Sequence, residues 1–197
     1  MPAIVLATRN PGKVEEIRAI LIGVPVTFVS LAEFPSVPEL VEDGKTLEEN
    51  ALKKARAVHT LTGMPALADD SGLEVFHLDM QPGVFSARYA GEHVTYADNN
   101  RKLLAALEGV GPAGRRAQFR CVAALVDQHV EKLTVGSCQG TITTEARGSG
   151  GFGYDPLFIP NGYGETLGEL APEVKNLISH RSRAFRVMKE FLVAYYA

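Results

Sequence analysis

Cysteine is scarce in this chain, which has only Cys121 and Cys138 among its 197 residues. Both lie in apolar, strand-like segments, and neither belongs to a C-x-x-C pair or to a histidine-containing metal motif. We therefore expect reduced thiols in a core rather than a disulfide framework, as is typical of cytoplasmic proteins.

Positive charge and long apolar runs are also missing. The formal net charge is -3, and no basic run extends beyond Arg115-Arg116. A general nucleic-acid surface is therefore excluded, and any polyanionic ligand must be bound by a local cluster. No apolar stretch reaches the roughly 18 residues of a membrane span, and no charged segment precedes an apolar one at the start. We expect a cytoplasmic protein without a membrane or nucleic-acid partner.

The chain also lacks internal repeats and low-complexity tracts, so we expect one domain over residues 1–197. Folding a chain of this length buries roughly 70% of its surface, so no disulfide or metal is needed for stability. The pattern predicts helices from about Leu47 to Leu61, Tyr96 to Leu107 and Ser179 to Tyr195, the last with an apolar stripe that includes Tyr195. It also predicts strands at 4–7 and 26–29, and a hairpin of Ala117–Val126 and Lys132–Thr143. This order indicates an α/β fold with a mixed sheet.

The first polar motif runs from Thr8 to Lys13, after the apolar run 4–7. Asn10 fits the N-cap of a helix and Pro11 fits its first position. A cation such as Lys13 is unfavourable at this positive helix end unless a negative group lies opposite. A bound phosphate would supply that group. The alternative is an ordinary cap followed by a solvated lysine.

The helix from Leu47 begins at the apparent capping box Thr46-Leu47-Glu48-Glu49 and has polar residues on its apolar face. Asn50 and Lys54 share that face with Ala51 and Val58. A buried ammonium needs a counter-charge, so we expect Lys54 to pair with an acid or to meet an anionic ligand. The alternative is that Lys54 extends to water.

Two adjacent carboxylates follow the short apolar run 65–68, in Asp69-Asp70-Ser71-Gly72. We expect a strand to end there in a turn, with a further strand over Leu73–Phe76 beyond it. Mg²⁺ prefers carboxylate, water and phosphate oxygens, so this position suits a divalent cation. Strand alternation puts one aspartate on each face, and we expect Asp70 to face the site. Glu42, in the preceding polar loop, could add a second ligand. A turn without a ligand is the alternative.

A glycine-rich segment at 148–153 matches the pattern G-x-G-x-x-G. We reject a dinucleotide fingerprint because Pro156 follows closely and disfavours the helix that such a fingerprint must open. No GKS or GKT sequence exists for a P-loop either. Phe152, Tyr154 and Asp155 instead offer an aromatic face and an acid that suit a nucleobase. A purely structural glycine loop is the alternative.

Four basic residues surround the predicted start of the last helix, with Ser179 as its cap: Lys175, His180, Arg181 and Arg183. Like Lys13, they place positive charge at the positive end of a helix. This second occurrence again favours an anionic ligand.

Five motifs in order resemble the inosine triphosphate pyrophosphatase family, whose members hydrolyse non-standard purine nucleoside triphosphates such as ITP, dITP and XTP. They are Thr8-x-Asn10-x-x-Lys13, Ala68–Leu73, Pro82–Tyr89, Gly150–Pro156 and Ile178–Arg181. The resemblance covers essentially the whole chain. It implies an elongated, two-lobed α/β fold around a central mixed sheet with flanking helices, an active-site cleft, a Mg²⁺ requirement and a homodimer.

The resemblance also implies a role for individual residues. Asp70 would be the general base and a metal ligand, with Glu42 as a second metal ligand. Arg9 occupies a variable position where a small residue is often found. The substrate-binding residues would be Thr8, Arg9, Asn10, Gly12, Lys13, Lys54, Ser71, Phe152, Gly153, Tyr154, Asp155, Lys175, His180 and Arg181.

The expected reaction is attack of water on the α-phosphorus of the triphosphate, with Asp70 orienting or deprotonating that water. The products would be the monophosphate and pyrophosphate. Two alternatives stay open. One is a Maf-type nucleotide pyrophosphatase acting on modified pyrimidine or guanine nucleotides, which the order of the motifs disfavours. The other is a nucleotide sensor that does not hydrolyse, which has less need of Asp70.

Overall fold

The structure is a computed structural model that describes residues 2–197. The chain packs as two compact units. Unit 1 contains the chain as far as Asp70, together with Cys121–Gly136 and Arg181–Ala197; unit 2 contains Ser71–Arg120 and Ser137–His180. The expectation of one domain with two lobes stays a prediction.

Within residues 2–197, one six-stranded sheet and five α-helices form the fold. In chain order they are β1 (Ala3–Leu6), α1 (Pro11–Ile20), β2 (Thr27–Ser30), α2 (Leu47–Thr62), β3 (Ala66–Val75), α3 (Tyr96–Ala106), β4 (Arg116–Val126), β5 (Glu131–Ile142), β6 (Phe158–Pro160), α4 (Pro172–Ile178) and α5 (His180–Tyr195). The strand order is β2-β1-β3-β4-β5-β6. β1 runs parallel to β2 and β3, whereas β6 is antiparallel to β5. This mixed sheet with flanking helices confirms the predicted fold class.

Local hydrogen bonds explain why the predicted helices begin and end where they do. The Asn10 side chain accepts from the Lys13 amide at the start of α1, and the Thr46 hydroxyl accepts from the Glu49 amide at the start of α2. The expected capping box is only half formed, because the Glu49 carboxylate accepts from Lys45 N (2.6 Å) rather than from Thr46 N. Gly63, with φ at +68°, ends α2 in the left-handed conformation that glycine tolerates.

Strand β3 is where the prediction was wrong. We expected a turn over Asp69–Gly72 between two strands, but one ten-residue strand, Ala66–Val75, runs through these four residues. The strand predicted after the turn is confirmed as far as Val75. Gly72 is needed for close packing rather than for a turn, since a Cβ there would lie 2.3 Å from the carbonyl oxygen of Gly83. Basic side chains pair with both aspartates, which offsets the cost of burying two carboxylates in the sheet.

Each unit has its own apolar core. In unit 1, residues of β1, α1 and α5 pack together, among them Ile4, Ile17, Phe185, Met188 and Leu192. In unit 2, the core includes Leu73, Leu103, Phe119 and Phe158. Within residues 2–197, neither cysteine forms a disulfide, and both are buried, as predicted.

Two details of the C-terminal helices were not anticipated. Tyr195 is exposed, although we expected it on the buried stripe of α5, and Tyr196 packs against the core instead. The seven-residue helix α4 was missed because it is short and its N-cap, Ala171, makes no side-chain hydrogen bond. Within residues 2–197, no helix has the length and apolarity needed to cross a membrane.

Candidate active site

The two aspartates of β3 have different partners, as the alternation of side chains along a strand requires. Asp69 Oδ2 lies 3.1 Å from the Lys13 ammonium and accepts from Arg181 Nη2 at 3.0 Å and Nε at 3.2 Å. Arg181 Nη1 donates to Glu16 at 2.6 Å. A single carboxylate oxygen therefore joins the first turn of α1 to the first turn of α5.

The electrostatics of this cluster are those of a buried ion network. Burial opposes the charge of Asp69, but Lys13 and Arg181 overcome it and hold the pKa of that carboxyl well below its ordinary value. Burial likewise opposes the guanidinium charge, and Asp69 and Glu16 raise the pKa of Arg181. Asp69 and Arg181 are therefore both ionised at neutral pH.

Asp70 has a second set of partners, which come from α2 and the loop before it. Its Oδ1 accepts from the Lys54 ammonium at 3.0 Å, and its Oδ2 accepts from Asn50 Nδ2 at 3.1 Å. Lys54 also donates to Glu42 Oε1 at 2.7 Å. This confirms the prediction that Lys54 pairs with an acid, and the alternative that it extends to water is wrong.

The protonation balance at Asp70 differs from that at Asp69. Burial raises the pKa of Asp70 above its ordinary value, although Lys54 acts in the opposite direction. Burial also opposes the charge on Lys54, but Asp70 and Glu42 outweigh it and raise the pKa of the ammonium. A carboxylate with a raised pKa holds a transferred proton better, which is the property a general base needs.

The cations at the starts of α1 and α5 have an anionic partner within the protein. We inferred an external anion from Lys13 and from the basic start of the last helix, but Asp69 supplies the opposing charge to both Lys13 and Arg181. Lys175 is not at the start of the last helix at all, because it lies in α4. The His180 ring stacks on Phe119, with centroids 4.7 Å apart. The cations alone therefore do not require a ligand.

Arg9 contacts the loop that carries Glu42. Its Nη2 donates to the carbonyl of Val37 at 2.5 Å, and its Nη1 donates to that of Pro38 at 3.3 Å. The guanidinium of Arg9, which we had expected to bind the substrate, therefore donates to two backbone carbonyls instead. The structure gives the variable position of the first motif a role in holding this loop.

Replacing Arg9 by Ala is expected to loosen the loop without unfolding the protein. Backbone amides of residues 34–43 should exchange with deuterium several-fold faster, because local opening no longer breaks the two guanidinium bonds. The control is Arg18→Ala, because Arg18 donates to the carbonyl of Phe28 on β2 instead. Equal exchange rates over residues 34–43 in both variants would contradict this role.

The other predicted phosphate contacts lie at the start of α1. The Thr8 hydroxyl accepts from the Asn10 amide at 3.2 Å, and Gly12 occupies the first turn of the helix. Ser71 follows Asp70 in β3 and is half-buried.

Glu16, which binds Arg181, was not predicted from the sequence. It lies three residues after Lys13 on the same face of α1, and that spacing could have indicated it.

The glycine-rich loop is organised by Asp155. Its buried carboxylate accepts from the Phe152 amide at 2.8 Å and from the Lys175 ammonium at 2.6 Å. The same ammonium lies 4.7 Å from the centre of the Phe152 ring. Asp155 therefore acts within the protein, and its predicted hydrogen bond to a nucleobase stays a prediction.

Of the two aromatic residues in this loop, only Phe152 is partly accessible. Tyr154 is buried, its hydroxyl donates to the carbonyl of Ser86 at 2.8 Å, and burial raises its pKa. A short 3₁₀ turn and then β6 follow the loop, with no α-helix. The rejection of a dinucleotide fingerprint is confirmed.

The carboxylates near Lys54 fit a divalent cation. Glu42 and Asp70 both lie within 3.0 Å of the same ammonium, so two hard oxygen donors converge. Mg²⁺ is commonly bound by one or two carboxylates, with water and phosphate oxygens completing the shell. Within the part of the chain that the structure describes, no three His, Cys, Asp or Glu side chains form a complete metal cage. The donor set therefore suits a cation that shares its coordination with a phosphate ligand.

Comparisons with known proteins agree on one family. The profile of the Ham1 family matches residues 4–191. The chain is 53% identical to the dITP/XTP pyrophosphatase of Geobacter sulfurreducens, covering 98% of this chain and 97% of that protein, and 49% identical to the enzyme of the same name from Porphyromonas gingivalis, covering 98% of each. Its fold is similar to that of a HAM1 protein from Coxiella burnetii, with a TM-score of 0.90, 43% identity, and 98% and 100% of the two chains covered.

Proposed function

Because the chain belongs to the Ham1 family, we propose that it hydrolyses the non-standard purine nucleoside triphosphates dITP, XTP and ITP to the monophosphate and pyrophosphate. The observation that carries this proposal is the buried Asp70 carboxylate, which Lys54 and Asn50 orient and whose pKa is raised. The name dITP/XTP pyrophosphatase, shared by relatives 45–53% identical to this chain, supports the choice of substrate. The family match also disfavours the Maf-type alternative.

The proposed mechanism delivers one water molecule to the α-phosphorus. Asp70 orients this water and accepts its proton, while the bond from the α-phosphorus to the bridging oxygen breaks and pyrophosphate leaves. Lys54 donates to Asp70 Oδ1 and Asn50 to Oδ2, so the carboxylate is held in one orientation before substrate arrives.

A divalent cation, which we propose to be Mg²⁺, would be held by Asp70 and Glu42. When bound, it would neutralise phosphate charge and polarise the phosphoryl group that is attacked. Lys13, whose side chain is 18% exposed, would add positive charge to the phosphates. Thr8, Asn10 and Gly12 would approach the phosphates through the first turn of α1, where helix amides favour an anion.

For the base, we propose that Phe152 stacks on the purine and that His180 and Arg181 contribute hydrogen bonds. Hypoxanthine and xanthine present a 6-oxo acceptor and an N1 donor, whereas adenine presents an amino donor and a bare N1 acceptor. Adenine would therefore leave hydrogen-bonding groups of the site unpaired, which costs about 1–3 kcal/mol for each buried group.

A panel assay for pyrophosphate release tests this proposal. With Mg²⁺, we expect kcat/KM for ITP, dITP and XTP to exceed that for ATP by at least about 30-fold, because two groups would be mispaired with adenine at about 1 kcal/mol or more each. GTP, dTTP and UTP complete the panel. A preference for ATP would refute the substrate assignment, a preference for pyrimidines would favour the Maf-type alternative, and binding without cleavage would indicate a sensor.

From the resemblance we also propose a homodimer. From cysteine usage, net charge and the apolar pattern of the sequence, we propose that it lies in the cytoplasm with no nucleic-acid or membrane partner. Sedimentation velocity of the purified protein measures the oligomeric state directly.

A further inference from the structure

Two side chains on one face of α3 contact the glycine-rich loop. Asn100 Nδ2 donates to the carbonyl of Gly153 at 3.1 Å. The Tyr96 ring lies 6.4 Å from the Phe152 ring, centroid to centroid, at an interplanar angle of 36°. Residues four apart lie on the same face of a helix. One face of α3 therefore meets two consecutive loop residues.

Phe152 lies between two glycines in the left-handed region, Gly151 at φ +71° and Gly153 at φ +63°. Glycine adopts this conformation without strain and has the greatest freedom to leave it. On the Gly151 side, the Asp155 carboxylate already holds the Phe152 amide. On the other side, Tyr154 is fixed by burial and by the bond from its hydroxyl to Ser86. The bond from Asn100 to the Gly153 carbonyl therefore restrains the peptide between these two fixed residues, and with it the freedom of the Phe152 ring to swing.

Helix α3 is itself anchored by the motif Pro82–Tyr89 and by Ala90, the residue after it. This motif has no role in the proposed function. The neighbouring Asn99 accepts from the Ala90 amide at 2.7 Å and donates to the carbonyl of Ala87 at 3.1 Å. Within the motif, Ser86 Oγ accepts from the Leu73 amide of β3 and donates to the Gly83 carbonyl. Hydrogen bonds thus run from β3 through this motif to α3.

We propose that Tyr96 and Asn100 are positioning residues for purine recognition, which hold Phe152 in the orientation that stacks on the base. The inference rests on the proposed function, in which Phe152 contacts the purine. Neither residue touches the phosphates or the attacked phosphorus in this scheme. Their loss should therefore weaken binding of the base and leave the chemical step unchanged.

The fold should tolerate replacement of Asn100. Its Oδ1 is buried and, among residues 2–197, has no hydrogen-bond partner. A buried acceptor without a partner is destabilising, so removing it with Asn100→Leu should stabilise the fold. The same substitution removes the hydrogen bond to Gly153, which should destabilise the fold, so the two effects oppose each other. We expect the thermal midpoint to change by only a few degrees.

The main test compares a purine substrate with a competitor that has no base. For Asn100→Leu we expect KM for ITP to rise about tenfold, with kcat within about twofold and Ki for inorganic tripolyphosphate unchanged. Tyr96→Ala should raise the same KM several-fold, and Tyr96→Phe should restore it because the ring remains. The matched control is Arg101→Gln, on the exposed face of α3, which should change neither constant.

A double-mutant cycle shows whether Asn100 acts through Phe152. In a Phe152→Ala background, Asn100→Leu should change KM for ITP by less than about twofold. An undiminished effect in that background, or a parallel rise in KM for ITP and Ki for tripolyphosphate, would overturn the proposal. If the wild-type protein binds ITP without cleaving it, the proposed function fails and dissociation constants measured for the same variants decide the positioning role. If it binds no purine triphosphate, both proposals are wrong.

Discussion

Replacing Asp70 by Asn is expected to lower kcat for ITP by at least about 10³-fold, because it removes the proposed base and a metal ligand together. The fold should survive. Asn has nearly the same shape, its amide oxygen can still accept from Lys54, and burial already disfavours the charge that is lost. Pyrophosphate release measures the effect, and thermal unfolding shows whether the protein is intact.

The matched control is Asp43→Asn, in the same loop as Glu42. Asp43 is exposed and pairs with Lys53 on the surface rather than with the buried lysine of α2. Its replacement should leave kcat and KM unchanged. If Asp70→Asn keeps more than a tenth of the wild-type activity, Asp70 is not the base, and the water must be activated by another group.

Most of the fold could be predicted because its signals are local. The capping side chains of Asn10 and Thr46, and the glycine after α2, act within a few residues of the helix ends that they define. Strand β3 could not be predicted in the same way. A run of two aspartates, a serine and a glycine favours a turn when it is judged by its own residue types.

What keeps that run in the sheet comes from distant parts of the chain. Arg181 is 112 residues from Asp69, and Lys54 is 16 residues from Asp70. The sequence predicted correctly that Asn50 and Lys54 lie on a buried face, since that follows from helical spacing alone. It could not show which acid each cation meets, and so it did not anticipate that Asp69 supplies an opposing charge to Lys13 and Arg181.

The same distinction applies to the glycine-rich loop. Phe152 and Asp155 could be predicted as residues of interest from their types and from the surrounding glycines. The sequence could not show that Asp155 accepts from the Phe152 amide and from Lys175, because the lysine lies 20 residues away in a helix that was missed. Asp155 holds the loop, and its predicted hydrogen bond to a nucleobase stays a prediction.

Replacing Arg181 by Met should lower the free energy of unfolding by about 3–5 kcal/mol. The guanidinium is buried and binds Asp69 and Glu16, so its loss leaves two carboxylates short of their partner in the interior. Methionine fills much of the volume, which limits the cavity contribution. Urea unfolding of the variant and wild-type protein measures the difference.

The control and a second variant separate charge from packing. Arg56→Met removes an arginine that also pairs with a glutamate, Glu131, but does so at the surface, where we expect a loss below about 1 kcal/mol. Combining Asp69→Asn with Arg181→Met should cost less than the sum of the two single losses, because the double variant no longer buries an uncompensated Asp69 carboxylate. Equal losses for Arg181→Met and Arg56→Met, or strict additivity in the double variant, would contradict a buried ionic network. In that case Lys13 and Lys54 would have to hold the pKa of Asp69 below its ordinary value.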